Sequence, residues 1–336
     1  MEVTPLRNSV CFVVKETHDV GNSRRQLMAI AAAMGFDETL AGKAALIATE
    51  FATNLVKHGG GGRLVMRGLD GDGASGIEIL SLDKGPGMDA DTCLRDGYST
   101  SGSPGTGLGA VNRLADRFDI YSVPGKGTTL AAILWRVAPA DPALISDYGA
   151  VCLPIESETL CGDGWAMCAT RRHVRMMVSD GLGHGPAAAE VSDAAIALFN
   201  ERDSLAPGAF IQLLNERVTS SRGAAVAMLE IDLDRNLLTF AGIGNIAGYI
   251  FTGVRSRGMV SLNGIVGHQL RKVSEFSYEC LPGDLVMLHS DGLSTHWKLE
   301  DYPGLAYRPA NIVAGTFYRD FSRHKDDATI LTLRRP

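Results

Sequence analysis

The hydrophobic pattern of the first 137 residues alternates between helix-like and strand-like segments. Apolar side chains recur at helical spacing across residues 38–58, which predicts one long helix with a buried face. These side chains are Leu40, Ala44, Ile47, Ala48, Phe51 and Leu55. Shorter helices are predicted over residues 23–34 and 108–116. The predicted strands are residues 9–14, 63–69, 76–83, 118–123 and 128–137. This order predicts an α+β domain whose helices cover one face of a mixed sheet.

The second half of the chain is richer in strand-like runs. The predicted strands are residues 151–155, 165–170, 173–179, 224–232, 237–242, 248–251, 272–280, 285–290 and 328–333. The predicted helices are residues 186–201, 207–219 and 309–321, each near a proline that suits a first helical turn. Many antiparallel strands with clustered helices predict two sheets sandwiched between helices, an α-β-β-α arrangement.

A connector separates the two halves. Residues 138–147 contain Pro139 and Pro142 and follow a strand-like run, so they read as an extended linker. A chain of 336 residues fits two domains of common size. The predicted organisation is therefore a first domain over residues 1–137, the linker, and a second domain over residues 148–336.

Composition and charge narrow the classes of partner. The formal net charge of -6 does not provide the basic surface that phosphate neutralisation requires, so nucleic acid is not an expected partner. No apolar run reaches the length of a membrane helix, which predicts a cytoplasmic protein without a membrane partner. The six cysteines show no Cys-x-x-Cys spacing, so we expect reduced thiols and no structural zinc. They are Cys11, Cys93, Cys152, Cys161, Cys168 and Cys280.

Three segments of the first half carry features of a nucleotide site. Glu50 and Asn54 lie four residues apart on one helix face, and His58 is expected to continue that ridge. The segment 83–87 begins with a carboxylate at a strand end, where it can accept a hydrogen bond from an adenine amino group. The segment 105–109 places glycines at the start of a helix, where backbone N–H groups can approach phosphate. An Asn side-chain oxygen is a suitable ligand for the magnesium that accompanies a triphosphate.

These segments, together with residues 97–100, resemble the GHKL (Bergerat) ATP-binding fold, and most closely the small serine kinases of the RsbT/RsbW type. The resemblance covers about residues 5–137. It implies bound ATP with Mg²⁺, Asn54 as the magnesium ligand, Asp83 as the adenine contact and Glu50 as general base for a serine hydroxyl. The other positions that it implies at the nucleotide are His58, Gly85, Gly87, Gly105, Thr106, Gly107, Leu108, Gly109 and Thr128.

Two alternatives to a serine kinase compete for the first domain. A sensor histidine kinase shares the nucleotide fold but needs a preceding helical hairpin with a phosphoacceptor histidine. The N-terminal histidine here, His18, lies in a short polar stretch, which disfavours that class. A non-catalytic domain that only sequesters a protein partner stays open as an alternative.

Acidic residues in the second half follow or precede apolar strands. Asp-Gly pairs are common turn formers, which is the simpler explanation for any one of them. Several at the ends of buried strands would repel one another unless cations lay between them. Ligation by oxygen alone favours magnesium or manganese. The residues concerned are Asp163, Asp180, Asp291, Asp326 and Asp327.

The order of these segments resembles the PPM-type phosphatases of the SpoIIE/RsbX branch, over about residues 148–333. The resemblance implies two Mn²⁺ or Mg²⁺ ions, with Asp180 as the bridging ligand and holder of the metal-bridged water. The Gly181 carbonyl, Asp163, Asp291 and Asp326 would complete the two metal sites. Asp327 matches a position that need not touch metal. His184 fits either a proton donor or a loop residue, and we favour the loop.

The two resemblances together imply a bifunctional signalling protein. The phosphatase half would dephosphorylate phosphoserine or phosphothreonine on STAS-domain proteins, which are anti-sigma antagonists or stressosome components. The ATP-binding half would act as a serine kinase or switch on the same circuit. Expected partners are therefore STAS-domain substrates, a stressosome-type complex or a sigma-regulatory protein.

Overall fold

The chain forms two compact units, Ser9–Ala140 and the combination of Met1–Asn8 with Asp141–Pro336. The computed structural model describes residues 2–3, 9–71, 73–88, 107–139, 147–202, 204–253, 255–268, 270 and 272–336. Strand β1 (Glu2–Val3) pairs with a sheet of the second unit, whereas the sequence analysis assigned these residues to the first domain. The linker limits of 138–147 stay a prediction, because residues 140–146 lie outside the described part of the chain.

The unit Ser9–Ala140 is one five-stranded sheet with helices on one face. Its strands are β2 (Val10–Val14), β3 (Gly62–Gly71), β4 (Ala74–Asp83), β5 (Arg117–Ser122) and β6 (Thr128–Val137). Its described helices are α1 (Thr17–Ala33), α2 (Glu38–Asn54) and α3 (Gly107–Leu114). The strand order is β2-β3-β4-β6-β5, and each of these pairings is antiparallel. The predicted mixed sheet was wrong in this respect.

The core of this unit lies between the helices and one face of the sheet. Leu27, Ile47 and Phe51 from the helices are fully buried against Leu64, Ile77 and their neighbours on the strands. Removing such surface from water is the main stabilising contribution to the domain. The apolar side chains whose spacing predicted α2 therefore form the face of the helix that packs on the sheet.

The largest differences between the predicted and observed helix boundaries lie at the start of α1 and at the end of α2. Helix α1 begins at Thr17 rather than residue 23, because the Asp19 carboxylate accepts the backbone N–H groups of Lys15 and Glu16, both at 2.9 Å. That polar first turn carries no apolar periodicity. Helix α2 ends at Asn54, and a π-helical turn follows over Leu55–Gly59. Such π-helical turns are rare in proteins, and those that do occur are often found at functional sites.

The second unit contains two stacked sheets. Its strands beyond β1 are β7 (Tyr148–Leu153), β8 (Asp163–Ala169), β9 (His173–Gly181), β10 (Ala224–Asp232), β11 (Leu237–Ile243), β12 (Ala247–Thr252), β13 (Arg255–Met259), β14 (Phe276–Glu279), β15 (Leu285–His289) and β16 (Ala328–Arg334). Its described helices are α4 (Pro186–Glu201), α5 (Pro207–Arg217) and α6 (Ala310–Phe321), with 3₁₀ turns at Leu299–Asp301 and Leu305–Tyr307. Strand β13, which carries mainly polar and glycine positions, was not predicted.

The sheets have the orders β1-β8-β9-β10-β11-β14 and β13-β12-β15-β16-β7. Their inner faces share a core that includes Trp165, Val178, Phe240 and Leu288. Helices α4 and α5 pack on the outer face of the first sheet, and α6 packs on β7 and β16 of the second. The predicted α-β-β-α sandwich is confirmed. Within the described ranges, no helix combines the length and the apolarity needed to cross a membrane.

Candidate functional site

The first unit brings Glu50 and Asn54 to the half-buried rim of its helical layer. Both lie in the last turns of α2, whose opposite face is packed in the core. A Cβ built on Gly107 would lie 2.7 Å from Glu50 Oε2, so the Glu50 carboxylate lies directly against the start of α3. A side chain at position 107 would displace that carboxylate. The structure thus places together the predicted general base and the first described residue of the glycine-rich segment.

His58 lies in a π turn rather than in a continuation of α2. In a continuous α-helix, Glu50, Asn54 and His58 would form one ridge. Because Leu55–Gly59 has i→i+5 geometry, the regular α-helical spacing ends at Asn54, and the place of His58 at the nucleotide stays a prediction. Its half-buried side chain lies in the turn that leads to Gly60.

Asp83 is fixed at the end of β4 by two backbone amides. Its Oδ1 accepts the N–H of Gly85 at 2.8 Å and the N–H of Thr128 at 3.2 Å. Asp83 and Thr128 are also direct cross-strand partners of β4 and β6. These contacts set the orientation of the carboxylate that was predicted to contact adenine.

Ser122 is a residue of this region that the sequence did not reveal. Its Oγ lies 2.9 Å from Thr128 Oγ1 and accepts the N–H of Met88 at 2.8 Å. The hydroxyl therefore ties the chain after Gly87 to the strand that carries the buried Thr128. Leu108 and Gly109 are half-buried in the first turn of α3. The predicted positions Gly105 and Thr106 lie outside the described residues.

The predicted acidic residues of the second unit lie at the ends of neighbouring strands, on the same side of the two stacked sheets. Asp163 and Asp180 are paired across β8 and β9. Asp291 follows β15, and Asp326 and Asp327 precede β16, which is the neighbour of β15. The two sheets meet where Ser290 Oγ donates a 2.7 Å hydrogen bond to Asp163 Oδ2.

The carboxylates raise one another's pKa values. Burial raises the pKa of Asp180 to about 7, assisted by the negative charges of Asp291, Asp326 and Asp327. Burial also raises the pKa of Asp163, with the charge of Asp180 as the next cause. The pKa of Asp291 is raised by burial and by Asp326, and the charge of Arg323 offsets part of the rise. Buried like charges of this kind are relieved by a bound cation.

The chemistry of these donors fits a hard divalent cation. They are all oxygens, and Ser290 and Asn245 orient two of the carboxylates; Asn245 Nδ2 donates to Asp291 Oδ2 at 2.6 Å. Gly181 adjoins Asp180 and donates its N–H to the Gly162 carbonyl at 3.3 Å. Within the part of the chain that is described, no three or more Asp, Glu, His or Cys side chains are arranged so that they could together hold a metal ion as they stand. Neither Ser290 nor Asn245 was among the residues predicted for the site.

Asp327 has a different role from its neighbours. Its Oδ1 accepts the N–H of Ile155 at 2.8 Å, and its Oδ2 accepts the N–H of Gly162 at 2.7 Å. The residue is 2% exposed. Both carboxylate oxygens therefore hold the two ends of the loop 155–162, which leads to Asp163.

Comparison with known proteins identifies both halves. The model of the histidine kinase-like ATPase domain matches residues 13–134, and that of the stage II sporulation protein E (SpoIIE) family matches residues 170–336. Serine/threonine-protein kinase RsbT of Bacillus subtilis strain 168 is 31% identical over 131 residues, which are 39% of this chain and 98% of RsbT. The chain joins a histidine kinase-like ATPase domain to a SpoIIE-family phosphatase domain.

The SpoIIE-family domain has relatives of its own. Phosphoserine phosphatase RsbX of the same Bacillus subtilis strain is 26% identical over 140 residues, which are 41% of this chain and 70% of RsbX. A chain solved in a study of the bacterial stressosome is 26% identical, with a TM-score of 0.52 over 56% of this chain and 98% of that chain. The aspartate centre thus lies in a PPM-type phosphatase domain, and Glu50, Asn54 and Asp83 lie in a kinase-like ATPase domain.

Proposed function

We propose that the SpoIIE-family domain removes phosphate from phosphoserine or phosphothreonine of STAS-domain proteins. One observation carries this proposal. Carboxylates at strand ends of two different sheets lie close together, and burial and mutual repulsion raise the pKa of Asp180 there to about 7. RsbX, a phosphoserine phosphatase, supports the substrate class. The stressosome relative supports a partner from the anti-sigma or stressosome type of circuit.

Asp163, Asp180, Asp291, Asp326 and the Gly181 carbonyl are the groups proposed to hold two Mn²⁺ or Mg²⁺ ions. When bound, such a pair of ions activates water and neutralises phosphate oxygens for in-line displacement. Asp180 lies between the acidic groups of both sheets, which suits a bridging position. The backbone N–H of Asp291 interacts favourably with the Asp180 carboxylate and offsets part of the rise in its pKa.

The surrounding residues hold these ligands in place. Ser290 Oγ donates to Asp163 and accepts the N–H of Thr329 at 3.0 Å, so it fixes a carboxylate of one sheet to a strand of the other. Asn245, in the loop between β11 and β12, holds the Asp291 carboxylate through its Nδ2 hydrogen bond. Ligands that are positioned before the substrate arrives reduce the reorganisation needed in the transition state.

We infer that the ATPase domain binds ATP with Mg²⁺ and transfers phosphate to a serine of a partner in the same circuit. The position of Glu50 against Gly107 supports this, because a carboxylate beside the glycine-rich segment can accept the proton of an incoming hydroxyl. Asn54 would hold the magnesium and Asp83 the adenine. The competing function is a non-catalytic domain that binds ATP and sequesters its partner.

Opposing activities on one serine would consume ATP without a net result. The two domains therefore act on different phosphosites or partners, or one domain regulates the other. The test is to incubate the chain with STAS-domain proteins from its own genome, with ATP and magnesium or with manganese. Intact mass spectrometry should show serines losing 80 Da with manganese, about the mass of one phosphoryl group, and others gaining it with ATP. Mass changes in neither condition would refute both activities.

A further inference from the structure

The loop after Asp180 is flanked by a cation that the proposed mechanism does not use. Strand β10 pairs with β9 so that Ala224 faces Gly181, and Leu182 donates its N–H to the Gly223 carbonyl at 3.0 Å. This ladder brings the exposed Arg222 opposite Gly183. A Cβ on Gly183 would lie 3.1 Å from Arg222 Nη1, so the guanidinium covers the loop of the aspartate centre.

A second nitrogen group lies next to Gly183 in sequence. His184 Nδ1 is 2.8 Å from Glu158 Oε1, and the His184 side chain is 55% exposed. With Nδ1 engaged by Glu158, the Nε2 edge of the ring is the one available to a ligand. His184 lies four residues after Asp180, in the loop that leaves the aspartate centre.

The carboxylate that holds His184 belongs to the loop that Asp327 fixes. Glu158 donates its backbone N–H to the Ile155 carbonyl at 2.9 Å, and Ile155 in turn donates to Asp327 Oδ1. Asp327 thereby connects the aspartate centre to Glu158, and Glu158 to His184. Asp327 therefore uses both carboxylate oxygens to hold the loop that carries Glu158, through the backbone N–H groups of Ile155 and Gly162.

We propose that Arg222 and His184, on either side of Gly183, form a phosphate-recognition edge for the phosphoserine substrate, and that Glu158 is the positioning residue of His184. The inference rests on the proposed phosphatase function. A guanidinium binds two phosphate oxygens in one plane, which suits a dianionic phosphoester. The metal-loaded centre would neutralise part of the charge of that dianion, and cationic donors at its rim would supply further contacts to its oxygens.

The test compares phosphate binding with catalysis. Calorimetry with inorganic phosphate and manganese-loaded protein should show about a tenfold weaker affinity for Arg222→Ala and a smaller loss for His184→Gln, as expected for lost charge-assisted hydrogen bonds. Arg222→Lys should retain part of the affinity. The matched control is Arg235→Ala, since Arg235 is an exposed arginine just beyond the opposite end of β10.

The positioning role of Glu158 has its own readout. Glu158→Ala should raise KM for a phosphoserine protein, and Glu158→Gln should restore it because the amide oxygen still accepts from Nδ1. In the His184→Gln background, Glu158→Ala should add nothing further. An equal loss in both backgrounds would mean that Glu158 is merely structural.

The outcomes separate this inference from the proposed function. If the unaltered chain hydrolyses p-nitrophenyl phosphate with manganese, but Arg222→Ala binds phosphate within twofold of it, the recognition edge is wrong and the phosphatase stands. If phosphate binding depends on Arg222 but no phosphoester is hydrolysed, the recognition edge stands and the proposed activity fails. Unchanged unfolding midpoints of the variants would show that folding is intact.

Discussion

Asp163 and Asp180 face each other directly across the antiparallel strands β8 and β9. Two ionisable carboxylates at paired positions destabilise a sheet unless something compensates their charge. Ser290 compensates part of it through its hydrogen bond to Asp163. The remaining repulsion would be relieved by a cation bound between the carboxylates.

Replacement of the proposed bridging ligand should abolish phosphatase activity. Asp180→Asn and Asp291→Asn are each expected to lower manganese-dependent kcat/KM for a phosphoserine protein by at least about 100-fold, because ligands of catalytic ions act in the transition state. The matched control is Asp234→Asn in the exposed turn after β10, which should keep full activity. Activity that persists in both ligand variants would contradict the metal assignment.

The metal-free chain should lose stability as pH rises through 7. The pKa of Asp180 is about 7 in the folded state, above its ordinary value of 3.8, so the folded form binds the extra proton and is favoured at low pH. Between pH 6 and 8 this one group should cost about 1.4 kcal/mol, the value of one pK unit. Thermal unfolding in EDTA measures the loss, and Asp180→Asn should flatten it.

Manganese should reverse that pH dependence. Protons and cations compete for the same carboxylates, so stabilisation by added manganese should be larger at pH 8 than at pH 6. The comparison needs the same protein and metal concentration at both pH values. Equal stabilisation at both would argue that Asp180 is not a ligand.

Substitution of Asp327 should lower the stability of the fold, whereas substitution of the adjacent Asp326 should lower the affinity for manganese. Asp327→Ala leaves the buried amides of Ile155 and Gly162 without their acceptor, which should lower the free energy of unfolding by about 2 kcal/mol. Asp326→Asn should leave metal-free stability close to that of the unaltered chain and reduce manganese affinity instead. Urea unfolding and manganese titration of both variants measure the two effects. The reverse result would exchange the roles of the two residues.

In the ATPase domain, two substitutions should separate ATP binding from phosphoryl transfer. Glu50→Gln should retain ATP affinity and lose phosphoryl transfer to a STAS-domain partner by about 100-fold, the contribution typical of a general base. Asp83→Asn should weaken ATP binding instead, because its Oδ1 is already held by Gly85 and Thr128 and the adenine contact would be altered. Labelled ATP and nucleotide calorimetry distinguish the two. Partner control that survives in Glu50→Gln would favour the sequestering function.

Several features of the chain could be read from sequence because they depend on local pattern. The apolar spacing of α2 predicted its buried face, and it set the start of the helix at Glu38, where Asp37 Oδ1 accepts the N–H of Leu40 at 2.7 Å. Apolar runs that are followed by acidic residues predicted that Asp180 and Asp291 lie at the ends of the strands now seen as β9 and β15. In each case a few consecutive residues contain the whole physical signal.

Other features depend on partners that are distant in sequence. Ser290 and Asp163 are 127 residues apart, and Ile155 and Asp327 are 172 apart, so no local pattern predicts their hydrogen bonds. The antiparallel order of the first sheet and the pairing of Glu158 with His184 are of the same kind. The sequence by itself determined the order of helices and strands and the acidic and glycine-rich segments, because periodicity and turn chemistry are local. The resemblance of those segments to known families then implied the two folds. The tertiary structure alone decided which carboxylates share a charge environment and that Asp327 fixes a loop, because those roles follow from strand register and sheet stacking.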